Sequence, residues 1–356
     1  MAKVYKGDIV NSVVELNLDD EAAGGGNGGT VQGTDATYDI QAANEGATPG
    51  NARGENSVDL QTARSLATQI AGGSSSTVSG GDSNTASGYS STIGGGNSND
   101  ATNTYSTVGG GNSNDASGNS STIGGGNSND ATGTYSTVSG GTNNLSGPGS
   151  YSTIGGGSNN DAFGGYSTIS GGNSNDASGT YATIGGGNYN EASGTYATIG
   201  GGYKAKADKF GQQAYSAGQF ASQGDAQTSL MVVRNQTNDA TQTELCLNGS
   251  FLPGERMTIA DDTTWFFEIN LVARRTDVND ESAIYKFEGA IDRNTGAAST
   301  TLVGTVAKTV YSEDTPAWDA TVEADTTNGA LVIKVTGESP KVINWVARVE
   351  TTEVTG

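Results

Sequence analysis

A chain of 356 residues with 56 Gly, no His, 17 basic against 38 acidic residues and a formal net charge of −21 has a pI near 4.1. That balance excludes nucleic-acid binding by counterion release, and the lack of His excludes a Ser-His or Cys-His nucleophile. Cys246 is the single cysteine, so no intrachain disulfide forms, and no apolar run reaches the length that inserts into a membrane.

Residues 1–21 carry Val4, Tyr5, Ile9, Val10, Val13, Val14, Leu16 and Leu18, enough for one or two strands ending in Asp19-Asp20-Glu21. This opening lacks the apolar stretch of a secretory signal. Residues 22–57 are rich in Gly, Asn, Thr and Ala, including Gly24-Gly25-Gly26-Asn27-Gly28-Gly29, a composition expected of a flexible linker. From 58 to 72, Leu60, Ala63, Ala67 and Ile70 recur at spacings of three, four and three. That spacing predicts a short helix, which packs on symmetry mates or caps the repeat beginning at residue 73, because an isolated three-turn helix is marginal in water.

Residues 73–202 hold an internal repeat. One branched residue returns as Val78, Ile93, Val108, Ile123, Val138, Ile154, Ile169, Ile184 and Ile199, at intervals of fifteen with a single sixteen. A second column runs eight residues later: Ala86, Ala101, Ala116, Ala131, then Leu145 at seven, then Ala162, Ala177, Ala192 and Ala207. Two short extended pieces separated by Gly and Asn make each unit one coil of a parallel β-roll. Period-two alternation puts Ser152 and Ile154 inside and Tyr151 and Thr153 outside.

One Ile and one Ala per coil bury too little apolar area to offset the entropy of ordering the backbone, so a lone roll is expected to be unstable. The shortfall is met by burying a second face against copies of the same chain, which predicts an obligate homo-oligomer, with a trimer favoured. The Tyr column at Tyr105, Tyr135, Tyr151, Tyr166, Tyr181 and Tyr196 lines that shared face or stacks as an outer ladder; the sequence leaves both open.

Residues 203–227 keep a degraded repeat with Ala205, Ala207, Ala214, Ala217 and Ala221 and read as a neck. From 228 to 356 the strands lengthen: Trp265, Phe267, Ile269 and Leu271 alternate on one face, and Tyr285, Phe287 and Ile291 continue in a second strand. Further strands are expected around Leu302 to Val306, Trp318 to Val322, Leu331 to Val335 and Ile343 to Val349. All three Trp lie in this segment, which predicts a β-sandwich or jelly roll holding the principal core.

Asp100, Asp115, Asp130, Asp161, Asp176 and Glu191 form an acidic column beside Asn residues. Calcium is weighed as its ligand, but the spacing differs from calcium-binding rolls, and a charged edge that limits side-by-side aggregation is preferred; no cofactor is otherwise implied. The Thr column from Thr77 to Thr198 is read as a structural ladder rather than an ice-ordering face. Loop carboxylates at Asp261, Asp262 and Asp277 to Glu281 lack an aromatic cluster beside them and are read as solvated. Gly-Gly-Gly steps are coil turns, since no Lys-Thr or helix comes after them.

The Tyr-Ser-Thr-Ile-Gly-Gly-Gly-Asn-Ser-Asn-Asp-Ala-Ser-Gly units resemble the left-handed β-roll repeats of trimeric autotransporter adhesin heads. Arg53 to Arg64 and Gly218 to Gln227 are similar to segments of tailed-phage fibre proteins, marine phages especially, and so is the ending Asn344-Trp345-Val346-Ala347-Arg348-Val349-Glu350. An autotransporter needs a signal peptide and a membrane-anchoring strand set, whereas this sequence opens without the one and closes on Thr351-Thr352-Glu353-Val354-Thr355-Gly356. The resemblance therefore implies a virion fibre made in the host cytoplasm.

The expectation is an all-β, non-enzymatic homotrimer: residues 1–21 attach to a capsid or tail protein through Val4 to Leu16, a left-handed parallel β-roll forms a shaft of about nine coils, and the C-terminal β-sandwich meets a host glycan or protein. Candidate receptor loops carry Arg274, Arg275, Asp277 and Asn279, and Asp292 and Asn294, because loops on a rigid scaffold display binding groups. A capsid head fibre or decoration protein, a bacterial surface adhesin and a hydrolytic spike are the alternatives.

Overall fold

The structure is a computed structural model that describes residues 31–32, 39–41, 53–249, 255–278 and 281–356. The expected attachment peptide at 1–21, with Val4, Tyr5, Ile9, Val10, Val13, Val14 and Leu16, lies outside the described residues, as do most of the expected linker and Asn279. The chain divides between Ser117 and Gly118 into two compact units, both all-β.

In the first unit, Val58–Asp59, Thr77–Val78, Thr92–Ile93 and Thr107–Val108 stack as a parallel ladder, and Thr85–Ala86, Asp100–Ala101 and Asp115–Ala116 form a second. Asn or Asp bridges such as Asp82 with Asn97 make a third side. The chain takes strands of only two residues because a left-handed residue interrupts them: Ser75, Ser90 and Tyr105 have φ of 51–59°.

The predicted helix at 58–72 is absent. The N–H groups of Val58 and Leu60 donate to Ser76 O and Val78 O in the next coil, both at 2.9 Å, so ladder bonds replace the helical ones. Asp59 then stands in the column of Val78, and its buried carboxylate is neutralised by Arg53 at 3.1 Å and Arg64 at 3.4 Å. Apolar spacing alone misread this coil, because its interior is filled by an ion pair rather than a branched side chain.

In the second unit the same coil recurs, with Thr122–Ile123, Thr137–Val138, Thr153–Ile154, Thr168–Ile169, Thr183–Ile184 and Thr198–Ile199 in one parallel ladder. Leu145 does not belong to the alanine column. Leu145 pairs with Asp130 and Asp161 on the outer side, and the buried Ser146 takes the alanine place between Ala131 and Ala162. Spacing of eight from Val138 is thereby restored, and the extra residue of this coil falls in the corner after Ser146. Coil pairing also continues past residue 202, since Lys206–Ala207 pairs with Glu191–Ala192 and Gln213–Tyr215 with the strand of Thr198–Ile199.

Tight stacking explains one glycine column. Gly157 has φ 92°, and a Cβ there would lie 2.1 Å from Gly172 O in the next coil.

The C-terminal β domain has strands β1 (Ala226–Thr237), β2 (Thr243–Glu244), β3 (Met257–Thr258), β4 (Thr263–Arg275), β5 (Ser282–Arg293), β6 (Thr301–Glu313), β7 (Asp319–Asp325), β8 (Ala330–Thr336) and β9 (Ile343–Thr355). One antiparallel sheet runs β1-β9-β4-β5-β6. In the other, β8 pairs with β2, β3 and β7. The sheets share a core of Trp265, Phe267, Tyr285, Phe287, Trp318 and Trp345 with aliphatic residues from both. Gln213–Tyr215 also pairs antiparallel with Thr228–Leu230 of β1, so the coil ladder passes into the larger sheet without a break.

Candidate functional site: the two ends of the C-terminal β domain

Strand register assigns each loop to an end. Thr263 pairs with Arg293 and Thr355 near the coils, whereas Arg274 pairs with Ser282 and Asn344 at the opposite end. The two predicted receptor loops therefore lie at opposite ends of the β4–β5 hairpin, about 37 Å apart at ~3.4 Å per residue, and form no single site. Alternation along β4 and β5 held the signal for this, since the hairpin turn and the strand exit cannot meet.

At the far end, Arg275 grips Asp277 through two nitrogens at 2.8 and 2.9 Å and reaches Glu281 at 3.0 Å. Lys341 pairs with Glu281 and Glu338, both at 2.7 Å, and Thr315 donates to Glu281 at 3.1 Å. The Arg275 guanidinium holds the Asp277 carboxyl well below the usual range, and Lys341, with Arg275, lowers that of Glu281. These charges brace three loops, β4–β5, β6–β7 and β8–β9, against one another. Lys341 also sits 6.0 Å from the Trp318 ring, tying the network to the core. Arg274 and Val278 stand exposed beside it.

At the near end, Asp292 accepts from Thr264 at 2.6 Å and from Asn294 at 3.3 Å, and Arg293 pairs with Asp261 at 2.7 Å. Buried Asp225 accepts N–H bonds from Phe220, Ala221 and Ser222; burial opposes its charge, but these donors outweigh it and lower its pKa.

A cleft of about 510 Å³ lies where the last coil meets the larger sheet, lined in part by Thr198, Gln213, Tyr215, Thr228, Arg348 and Glu350. Sequence reasoning missed it. Tyr215 comes after Ala214 at the position that Gly200 holds in the preceding coil, and its ring, 57 % exposed, lies over Gly202, where a Cβ would meet the ring at 3.4 Å. An aromatic residue at a Gly or Ser column was the available signal. An exposed ring, an amide, two hydroxyls and the Arg348–Glu350 pair at 2.5 Å suit a polar, uncharged ligand better than an ion.

Burial pushes the Cys246 thiol up to about 11, so it is a packed core group and not a thiolate. Among the described residues, no three His, Cys, Asp or Glu side chains converge to hold a metal ion.

On the coils, Val78, Ile93, Val108, Ala86, Ala101 and Ala116 are fully buried in the first unit. So are Ile123, Val138, Ile154, Ile169, Ile184, Ile199, Ala131, Ala162, Ala177 and Ala192 in the second. The acidic column lies on the outer side, and partial burial raises the carboxyl pKa of Asp100, Asp130, Asp161 and Asp176. Tyr135, Tyr151, Tyr166, Tyr181 and Tyr196 stack at 4.8–5.0 Å, within 12° of parallel, and remain 44–51 % exposed.

No family model matches the chain, and no curated protein matches it. It is similar to the tailspike protein of Acinetobacter baumannii bacteriophage Fri1, a capsular polysaccharide depolymerase, at 7 % identity and a TM-score of 0.22, over 84 % of this chain and 61 % of that one. The tailspike of Acinetobacter baumannii phage AM24 gives 10 % identity and 0.23, over 90 % and 59 %. That of Acinetobacter phage vB_ApiP_P1 gives 8 % and 0.19, over 85 % and 64 %. The chain thus spans about three fifths of the length of these structures, and likeness at such TM-scores carries no argument about its activity.

Proposed function

We propose that the chain is a non-enzymatic, homotrimeric fibre of a virus particle, carrying its C-terminal β domain to the host surface. The observation that supports this most is the unbroken passage of the coil ladder into the β domain through Gln213–Tyr215, with a braced loop cluster at the end turned away from the coils. A repeat that buries one branched residue, one Asn and two small residues per coil serves as a spacer. Loops locked by Arg275, Glu281 and Lys341 form a rigid display for a host glycan or protein. The likeness of residues 53–64, 218–227 and 344–350 to tailed-phage fibres supports the virion location.

The test is binding of the labelled, purified chain to host cells. Arg274→Glu at the far end lowers binding at least tenfold, while Asp292→Asn at the near end leaves it unchanged. Equal loss from both, or none from either, overturns the placement of the contact. Shortening of host polysaccharide by the purified chain overturns the non-enzymatic part.

A further inference from the structure

We infer that the free edge and open faces of β6 are where a second copy of this chain packs, an inference that rests on the trimer reading above. The larger sheet has two edges. At β1 the edge is closed by the coil strand Gln213–Tyr215 and by a bridge from Arg234 to Cys246. At β6 it is open: nine of its thirteen residues pair with β5 on one side, with register shifts between Ile284 and Tyr285 and between Glu288 and Ala290, and no strand pairs on the other among the described residues.

Both faces of β6 are largely uncovered as well, although Leu302 and Val306 pack in part against the core. Ten of its thirteen residues are exposed. Val310 lies opposite Tyr285 on the core-facing side, yet is 48 % exposed; Tyr311 beside it is 66 % exposed, and Val303 on the other face is 50 % exposed. Long open edges are ordinarily guarded by Lys, Pro or brevity. β6 has no Pro, and its one Lys, Lys308, is turned back onto Asp319 and lies 4.9 Å from the Tyr285 ring.

Charge selects the occupant. Copies of a chain with net charge −21 repel, so they approach along a strip that lacks excess acid. From Thr301 to Glu313 the strand carries only Lys308 and Glu313, which cancel. At ~3.3 Å per residue the strip is about 43 Å long, and with both faces it offers roughly the 800 Å² per partner of a standard interface. Coils held side by side also raise the effective concentration of a neighbouring β domain far above that of any free partner.

Sedimentation of the full chain tests this with wild type and Val310→Lys/Tyr311→Lys, native tryptophan fluorescence confirming that the core is intact. The expected result is a wild-type trimer and a variant that needs at least about tenfold more protein to assemble. A variant that assembles like wild type overturns the inference and leaves the trimer standing. A monomeric wild type at micromolar concentration overturns both. Should the variant not fold, hydrogen exchange of wild type decides: β6 amides protected in the assembly and unprotected on dilution support the inference, and β6 amides that exchange freely in the trimer overturn it.

Discussion

The carboxamide nitrogen of Asn144 donates to Oδ1 of Asn129, 3.2 Å away in the coil before it, and also to Gly140 O and Gly157 O at 3.0 Å. Its own Oδ1 accepts the backbone N–H and the Nδ2 of Asn160, both at 3.1 Å. Repeated through Asn160, Asn175 and Asn190, this makes a buried amide ladder inside the coils of the second unit, which ends where Ala205 N donates to Asn190 Oδ1. The polar interior is as regular as the apolar one, and every amide is satisfied by the next.

Replacing a middle rung therefore strands groups on three sides. Asn160→Ala leaves Gly156 O and Gly172 O without that donor and Asn175 without its acceptor, at an expected cost of about 2–3 kcal/mol. Asn190→Ala costs less, because Oδ1 there accepts one N–H rather than two. Denaturant unfolding combined with hydrogen exchange of the coil amides checks the order; equal costs, or none, contradict the ladder.

Buried serines give the opposite sign. Ser136 and Ser167 have hydroxyls with no hydrogen-bond partner, and the same column is filled by Ala182 and Ala197 in later coils. Ser167→Ala removes an unsatisfied group and keeps the shape, so it raises stability by about 0.5–1 kcal/mol in the same measurement.

Stacked tyrosines stabilise from outside. Tyr166 lies 4.8 Å from Tyr151 and 5.0 Å from Tyr181, with φ 59°. Tyr166→Ala loses both ring contacts, about 1–2 kcal/mol. Asn tolerates positive φ better, so Tyr166→Asn recovers about 0.5 kcal/mol of that loss, and Tyr166→Phe is close to neutral. Thermal unfolding of the three variants separates stacking from backbone conformation.

Which features the sequence discloses depends on which side chains carry an unambiguous period. Ile and Ala columns are legible because a branched or methyl side chain amid Gly and Ser has one reason to recur. Asn160 and its equivalents recur six residues after every Val or Ile of the column except Ile199, but Asn in a Gly-rich chain reads as a turn former, so its burial is not legible. Leu145 was misplaced because apolar character suggested the interior, whereas the pairing of Ser146 with Ala131 fixed the register by backbone bonds. Arg64 and Asp59 filling the first coil, and Tyr215 over Gly202, depend on partners twenty or fewer residues away whose approach only the coil geometry creates. The opposite ends of the β4–β5 hairpin are legible from the lengths of the two alternating runs.

Acidity is expected to act oppositely on the coils and on the β domain. Asp161 and Asp176 bridge in parallel on adjacent coils, and burial, then the neighbouring carboxylate, raises the pKa of Asp161; burial likewise raises Asp176, with Glu191 adding to it against a hydrogen bond to Ser178. A carboxyl whose folded pKa lies above its unfolded value binds protons more tightly when folded. Its stabilising contribution is complete below the ordinary Asp range and is lost as pH rises through the raised value, so the coils gain on going from neutral to mildly acid solution. Glu281, lowered by Lys341, and Glu288, lowered by Lys286, work the other way: their contribution is present above the ordinary Glu range and is lost as pH falls through the depressed values. Protection factors of coil amides, corrected for the intrinsic pH dependence of exchange, should therefore rise between neutrality and the ordinary carboxyl range, while tryptophan fluorescence reports a weaker β domain only below that range. Asp176→Asn removes one like-charge neighbour, stabilises the coils at neutral pH by about 0.5 kcal/mol and flattens their pH response. Coils that weaken on mild acidification, or an Asp176→Asn chain with the wild-type profile, would show that the column is fully solvated and does not repel.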